Sequence, residues 1–394
     1  MSKLRLSLFV ALALIAASCS DDSAESSPTT TTTTTTEAPA TTAAPETTTT
    51  TEAPVEAVRY DERGPYAVGV TTISLSDRDV EVWYPAEPAD VEGLEREGYS
   101  SLEILPESIQ ALLADIDTPI VTDAYRDVPS AEGGPWPLMI YSHGAGGYRK
   151  VSTFNNTHLA SWGFVVASID HLERGLLARN GLLDLPDRPG GSATDVTLTI
   201  DMLVAADDAV LGGLVDGEMV AIMGHSAGGG TVLGAAAIDD RIDTLIFWAS
   251  SGDPESADLP TLPFQIVIAD LDSAFSPDRV RDFYDALEGP RQLIVLDNAG
   301  HNSFTDACEP IWDLGGLSSI GEALGLPANL LELGENGCVP DAGFTHPAEF
   351  LKLLNHVTLA HLLDVFEMED VGGALDSTLD TEFEGLVESN DFSD

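Results

Sequence analysis

The chain has 394 residues, 66 acidic side chains against 17 lysines and arginines, and a formal net charge of −49. A chain this acidic is excluded from the classes that read nucleic-acid phosphates, because those need a clustered positive field. Hydrophobic residues make up 43% of it, so it is neither a fibre nor wholly disordered, and its length allows one large domain or two ordinary ones with a sizeable core.

At the N-terminus, Lys3 and Arg5 precede an apolar run from Leu6 to Ala17 that is too short for a stop-transfer helix. Residues 1–18 therefore read as a secretory signal peptide. The following Ala16-Ala17-Ser18-Cys19, with polar Ser20, Asp21 and Asp22 behind it, resembles a bacterial lipoprotein signal. That implies lipidation of Cys19 and an anchor on the outward face of the cell membrane, with release as a free secreted protein as the competing reading. Residues 19–58 are Thr, Ala, Pro and Glu with almost nothing apolar to bury, which predicts a disordered stalk. With Cys19 set aside, Cys308 and Cys338 are the other two thiols, and in an oxidising compartment they are expected to form one disulfide.

Beyond the stalk, the alternating segments Val68 to Leu75 and Val80 to Tyr84, separated by Ser76-Asp77-Arg78-Asp79, predict an antiparallel hairpin. One amphipathic helix is expected near Ser101 to Ile116. The rhythm then changes to short apolar runs alternating with helical patterns. Strands are expected at Leu138 to Ser142, Phe164 to Ile169, Met219 to Met223, Leu245 to Trp248, Phe264 to Ala269 and Gln292 to Leu296. Helices are expected at Val151 to Trp162, Ala193 to Leu211, Ser226 to Ala237, Pro277 to Leu287 and Ala348 to Met368. Buried strands alternating with helices imply an α/β fold, a mainly parallel sheet of about eight strands covered on both faces, with its site at the carboxyl ends of the strands. The catalytic unit is expected to span residues 59–368, and the acidic stretch from Glu367 to Asp394 to be a solvated tail.

The sharpest motif is Gly224-His225-Ser226-Ala227-Gly228, set between an apolar strand and a small-residue helix. That is the G-x-S-x-G turn in the context it requires, and it lifts the serine hydroxyl above the sheet. A serine needs an imidazole base and an acid that orients the imidazole. His301, in the loop after the last strand of the alternating pattern, is the expected base, ahead of His346, His356 and His361. Asp272 is the expected acid because it reaches furthest into the loop after Phe264 to Ala269, with Asp270 and Asp253 as the competing carboxylates. Two backbone N–H groups should receive a developing oxyanion: that of Ala227, and that of Ala145 in the glycine-rich loop His143-Gly144-Ala145-Gly146-Gly147. Trp248 and His225 are candidates for substrate contact, and the leucine-rich loop from Leu172 to Ser192 for a lid or cleft wall.

Together the His143 to Gly147 loop, Leu159 to Val166 leading to Asp170, Gly224 to Gly230, Leu271-Asp272-Ser273 and Gly300-His301 resemble the serine α/β-hydrolases of the dienelactone hydrolase, platelet-activating-factor acetylhydrolase and bacterial cutinase group. The likeness covers roughly residues 66–366. It implies cleavage of small or polymeric carboxylic esters through an acyl-enzyme, with no metal and no organic cofactor. The dienelactone hydrolases carry cysteine where this chain has Ser226, and the polyester hydrolases often carry an aromatic residue where it has Ala145. A surface binding protein on the same scaffold, and an amide or peptide hydrolase with the same three residues, are the competing functions. Oligomeric state is left open.

Overall fold

In the computed structural model the described residues are 58–100, 103, 110, 111, 114, 119–179, 183–185, 189–313, 315, 316, 334–340 and 343–393. The expected signal peptide, Cys19, nearly all of the stalk and most of the helix near Ser101 to Ile116 lie outside them.

The strands, in chain order, are β1 (Ala67–Leu75), β2 (Arg78–Ala86), β3 (Gly98–Tyr99), β4 (Ile120–Val121), β5 (Tyr125–Arg126), β6 (Trp136–Ser142), β7 (Val165–Ile169), β8 (Val215–His225), β9 (Ile242–Trp248), β10 (Phe264–Ala269), β11 (Arg291–Leu296) and β12 (Val387–Ser393). Ten of them form one sheet in the order β12-β11-β10-β9-β8-β6-β7-β2-β1-β5. Its centre, from β7 through β6, β8, β9 and β10 to β11, is parallel throughout. The β1–β2 hairpin joins β7 antiparallel, and β12 joins β11 antiparallel at the other edge.

The central strands are apolar on both faces because helices cover both. Met139 and Tyr141 of β6 face one core with Leu159 and Ala160 of α1 (Thr153–Ser161) and with Leu353, Val357 and Leu362 of the closing helix Pro347–Val365. Leu138 and Ile140 face the other, with Val196 and Ile200 of the helix Gly191–Val204, Val232 of Gly228–Ala236 and Phe283 of Pro277–Ala286. The period-two alternation along one strand thus feeds two separate cores.

Three expectations need correcting. The stretch after Glu367 is folded rather than a solvated tail: Val371, Ala374, Leu379 and Phe383 are buried in the first core, and β12 completes the sheet edge. Its charges are accommodated because an edge strand keeps polar side chains in solvent and Asp391 pairs with Arg281 at 2.7 Å. With β12 and the two-residue β5 added, the sheet has ten strands rather than about eight. The helix expected to run to Leu211 stops at Val204, where the Asp208 carboxylate takes the N–H groups of Val210 and Leu211 and closes a local turn instead.

Candidate active site

The site lies at the carboxyl ends of β6, β8, β10 and β11, where the chain leaves the sheet in four loops. After β8 the backbone turns so sharply that Ser226 sits at φ 53°, the left-handed region that an L residue occupies only under strain. The turn is held by Ser226 N–H donating to Trp248 O at 2.9 Å and by Ser250 Oγ donating to Ser226 O at 2.7 Å. It also needs glycine for close approach, since a Cβ on Gly224 would stand 2.5 Å from the backbone carbon of Gly228.

His301, in the loop after β11, brings its Nε2 to 2.9 Å from Ser226 Oγ. Its Nδ1 lies 2.9 Å and 3.0 Å from the two oxygens of Asp272, in the loop after β10. A carboxylate only accepts, so Nδ1 carries the ring proton and Nε2 is the acceptor facing the serine hydroxyl. Asp272 is itself oriented by the N–H groups of Ala274 and Phe275, which donate to its Oδ1 at 2.7 and 2.8 Å. All three side chains are nearly shut from solvent, with Asp272 at 0% exposure and Ser226 at 6%. The arrangement can move the serine proton to an imidazole whose resulting charge the carboxylate offsets.

The competing residues have other partners. Asp270 accepts the Ala299 N–H at 2.9 Å, and Asp253 caps its own turn through Glu255 N. His346 caps the closing helix through Ala348 N. In the core, His356 accepts from Tyr60 N and donates to Ala374 O, while His361 meets Thr244 Oγ1 at 2.8 Å.

The glycine-rich loop after β6 rests on the serine turn: a Cβ on Gly144 would lie 3.0 Å from both His225 Nδ1 and Ser226 Cβ. Among the described residues neither the Ala145 nor the Ala227 N–H has a protein acceptor. The loop is held from behind by Gly146 N–H donating to Arg174 O at 2.8 Å. Gly144, Ala145, Val151, His225, Thr305, Ala307 and Ile311 line a small apolar cleft.

His225 is thus a cleft residue, and its Nε2–H donates to the His301 carbonyl at 3.1 Å. Burial, and then the neighbouring His301 ring, push its pKa down to about 3, so it stays neutral beside His301. Trp248 is not in the cleft. It is completely buried, stacked on Phe154 at 5.9 Å, because it ends β9 on the face covered by α1. The loop from Leu172 walls a second pocket behind Gly147, where Leu172, Leu176, Leu177 and Leu183 meet His143 and His171. His171, Glu173 and Asp195 approach as metal ligands would, but the Arg78 guanidinium bridges the two carboxylates at 2.7 and 2.8 Å. Cys308 and Cys338 are disulfide-bonded.

The sequence reading placed Arg174 only in the candidate lid loop and missed Asn336. Arg174 is half-buried with its guanidinium on Ser142 Oγ and Thr231 Oγ1, beneath the glycine-rich loop. Asn336 touches both the His301 and the Asp272 loops. Proximity to Cys338 is the one sequence signal that could have drawn attention to it.

Residues 66–184 match the family model of platelet-activating factor acetylhydrolase, isoform II, and residues 145–315 match a PET hydrolase-like model. The chain belongs to the α/β serine hydrolases. Its group, which holds the acetylhydrolases and cutinases, is one of carboxylic ester hydrolases. It is 24% identical over 302 residues to the platelet-activating factor acetylhydrolase of Cavia porcellus, covering 62% of this chain and 67% of that one. To Cutinase 2 of Thermobifida cellulosilytica it is 28% identical over 177 residues, covering 43% of this chain and 62% of the relative. The chain spans about half to two thirds of the length of the curated relatives it matches. A ferulic acid esterase from Streptomyces cinnamoneus superimposes with a TM-score of 0.53 at 20% identity, over 76% of this chain and 90% of that one, which shows the shared fold.

Proposed function

We propose that this chain cleaves carboxylic esters through a covalent acyl-enzyme on Ser226. The observation that carries the reading is the unbroken line of contacts from Ser226 Oγ to His301 Nε2 and from His301 Nδ1 to Asp272, at 2.9 Å each. Ser226 Oγ attacks the ester carbonyl while its proton passes to His301 Nε2. The tetrahedral oxyanion takes the N–H groups of Ala145 and Ala227, which no acceptor engages among the described residues. His301 then protonates the departing alkoxide, and the same steps with water in place of the alcohol release the acid and restore the serine. Asp272 holds the imidazole in the tautomer this needs.

The cleft's lining by Gly144, Ala145, Val151, Ala307 and Ile311 favours a small, uncharged acyl group, and the chain's −49 charge disfavours anionic esters. The names of the relatives, an acetylhydrolase and cutinases, agree with ester chemistry. Residues 1–18 are proposed to direct export, Cys19 to carry the lipid that anchors the protein outward, and residues 19–58 to hold the catalytic unit off the membrane. Among the described residues no helix is long and apolar enough to cross a membrane.

The test is labelling of the purified chain by a fluorophosphonate, followed by peptide mapping. Label on Ser226, lost together with p-nitrophenyl ester turnover in Ser226→Ala, is the expected result. Turnover that survives the substitution, or label on another serine, would overturn the assignment.

A further inference from the structure

Asn336 makes no contact with Ser226, yet its side chain joins the two loops that carry the base and the acid. Its Oδ1 accepts the backbone N–H of His301 at 2.6 Å and that of Ser273 at 3.1 Å, and its Nδ2 donates to the carbonyl of Leu271 at 3.0 Å. One planar amide therefore grips the backbone of the base and both neighbours of Asp272. An amide offers a two-lone-pair acceptor and a donor on separate atoms of one planar head, where a hydroxyl must do both with a single oxygen. The backbone takes part too, since Asn336 O accepts Asn302 N–H at 2.9 Å.

The next residues keep this grip in place. Gly337 presses so closely on Gly300 that a Cβ on Gly300 would stand 2.3 Å from Gly337 N. Cys338 is then bonded to Cys308, in the segment that leads away from His301. The chain beyond His301 thus comes back at Asn336 to hold the loop it left.

We infer that Asn336 is the positioning residue of the Asp272–His301 pair, setting the distance between the acid and base loops so that His301 Nε2 stays in line with Ser226. The inference rests on the acyl-enzyme reading above. Without the amide the two loops stay joined at Ala299, through Asp270 Oδ1 and the Leu271 N–H, but His301 N–H and Ser273 N–H lose their common acceptor. A misplacement of about 1 Å at a reacting group costs on the order of 100-fold in rate. The cleft lining is left in place, so the loss should fall on kcat and not on KM.

The test uses the full chain with Asn336→Ala and Asn336→Asp. Asn336→Ala should lower kcat about 100-fold with KM within twofold and the melting temperature little changed. Asn336→Asp keeps both acceptor bonds and should recover most of kcat at high pH. Its new carboxylate beside the ring favours the imidazolium, so the acid limb of kcat/KM should move to higher pH. A residue that only packs would move neither the split nor the limb.

A second readout does not depend on turnover: the low-field proton resonance of His301 Nδ1–H, assigned by its loss in His301→Ala. It should be present in the parent chain and in Ser226→Ala and be lost to exchange in Asn336→Ala. A parent chain without ester turnover defeats the acyl-enzyme reading, while the resonance still judges Asn336. A parent spectrum without the resonance, an Asn336→Ala variant that keeps it, or one whose kcat stays within threefold of the parent overturns the inference.

Discussion

The end of β6 and the start of the helix after Ser226 meet through one glycine, and a methyl group there should disable the site. A Cβ on Gly228 would lie 2.0 Å from Ser142 O, 2.9 Å from Ser142 C and 3.2 Å from His143 O, all backbone atoms that cannot rotate away. Restoring a contact of about 3 Å needs a displacement of roughly 1 Å between the two segments. Those segments carry Ala227 on one side and Ala145 on the other, so the wedge opens the space where both N–H groups would meet an oxyanion. Gly228→Ala should therefore lower kcat by on the order of 100-fold and destabilise the fold by about 1–3 kcal/mol through overpacking. Two residues on, Gly230 has open space within 4 Å of its Cβ position. Gly230→Ala should accordingly leave kcat unchanged and stabilise by up to about 1 kcal/mol, the helix-propensity difference. Steady-state p-nitrophenyl acetate hydrolysis and urea unfolding read both. Parent-like turnover in Gly228→Ala would show that this contact does not set the distance between the two donors.

Asp272→Asn should lower kcat by about 10³- to 10⁴-fold by leaving His301 in the wrong tautomer, while Asp270→Asn loses far less; the reverse ranking in kcat moves the acid to Asp270. His356→Ala removes the partners of Tyr60 N and Ala374 O in the core and should destabilise by about 2–4 kcal/mol; calorimetry should show that loss while kcat per active site, counted by fluorophosphonate, is kept. Replacing Cys308 and Cys338 by serine opens a loop with a sequence separation of 30 and should cost roughly 3–4 kcal/mol in the chain-entropy model; an unchanged urea midpoint would contradict it. Burial depresses His143 and His225 to about 3 and His158 and His361 to about 4, so these four are neutral when folded and take protons when unfolded below about pH 6.5. Burial raises Asp306 to about 7, so it holds a proton when folded and loses it on unfolding, subtracting one from the four. Stability should therefore fall as pH drops from 6.5 to 5, by up to about 4 kcal/mol per pH unit, and urea midpoints that do not move between pH 7 and 5 would refute the buried-neutral assignment.

The parallel centre of the sheet was legible because a strand buried on both faces is apolar along nearly its whole length, as Phe264–Ala269 is apart from Gln265, whose amide is bonded to Gln292 and to Val357 O. The same logic hid β12. Its residues Val387 to Ser393 alternate weakly, and none of them is fully buried, because an edge strand is held by backbone pairing to β11 and by polar contacts such as Gln292 to Asn390. Composition alone cannot separate such a strand from a solvated tail. The buried residues ahead of it, Val371, Ala374, Leu379 and Phe383, are too widely spaced among acids to make a periodic pattern. The early end of the helix after Gly191 was missed for a related reason: one side chain, Asp208, offers the backbone an alternative that hydropathy does not register.

The candidate site divides along the same line. Ser226 announces itself because its turn has to be built from glycines, and His301 and Asp272 because each follows a strand whose apolar run is plain. What keeps the three in register is of another kind. Ser250 bonds Ser226 O, Arg174 O takes Gly146 N–H, and Asn336 takes the backbone of residues 271, 273 and 301. These residues act on main-chain groups, which every residue has, so their partners carry no side-chain signature to match. Asn336 lies 35 residues from His301 along the chain, and the disulfide from Cys338 to Cys308 closes that interval in space. A cysteine pair bracketing a segment next to a candidate base is thus a reason to ask, in other chains, what the residues beside the second cysteine hold.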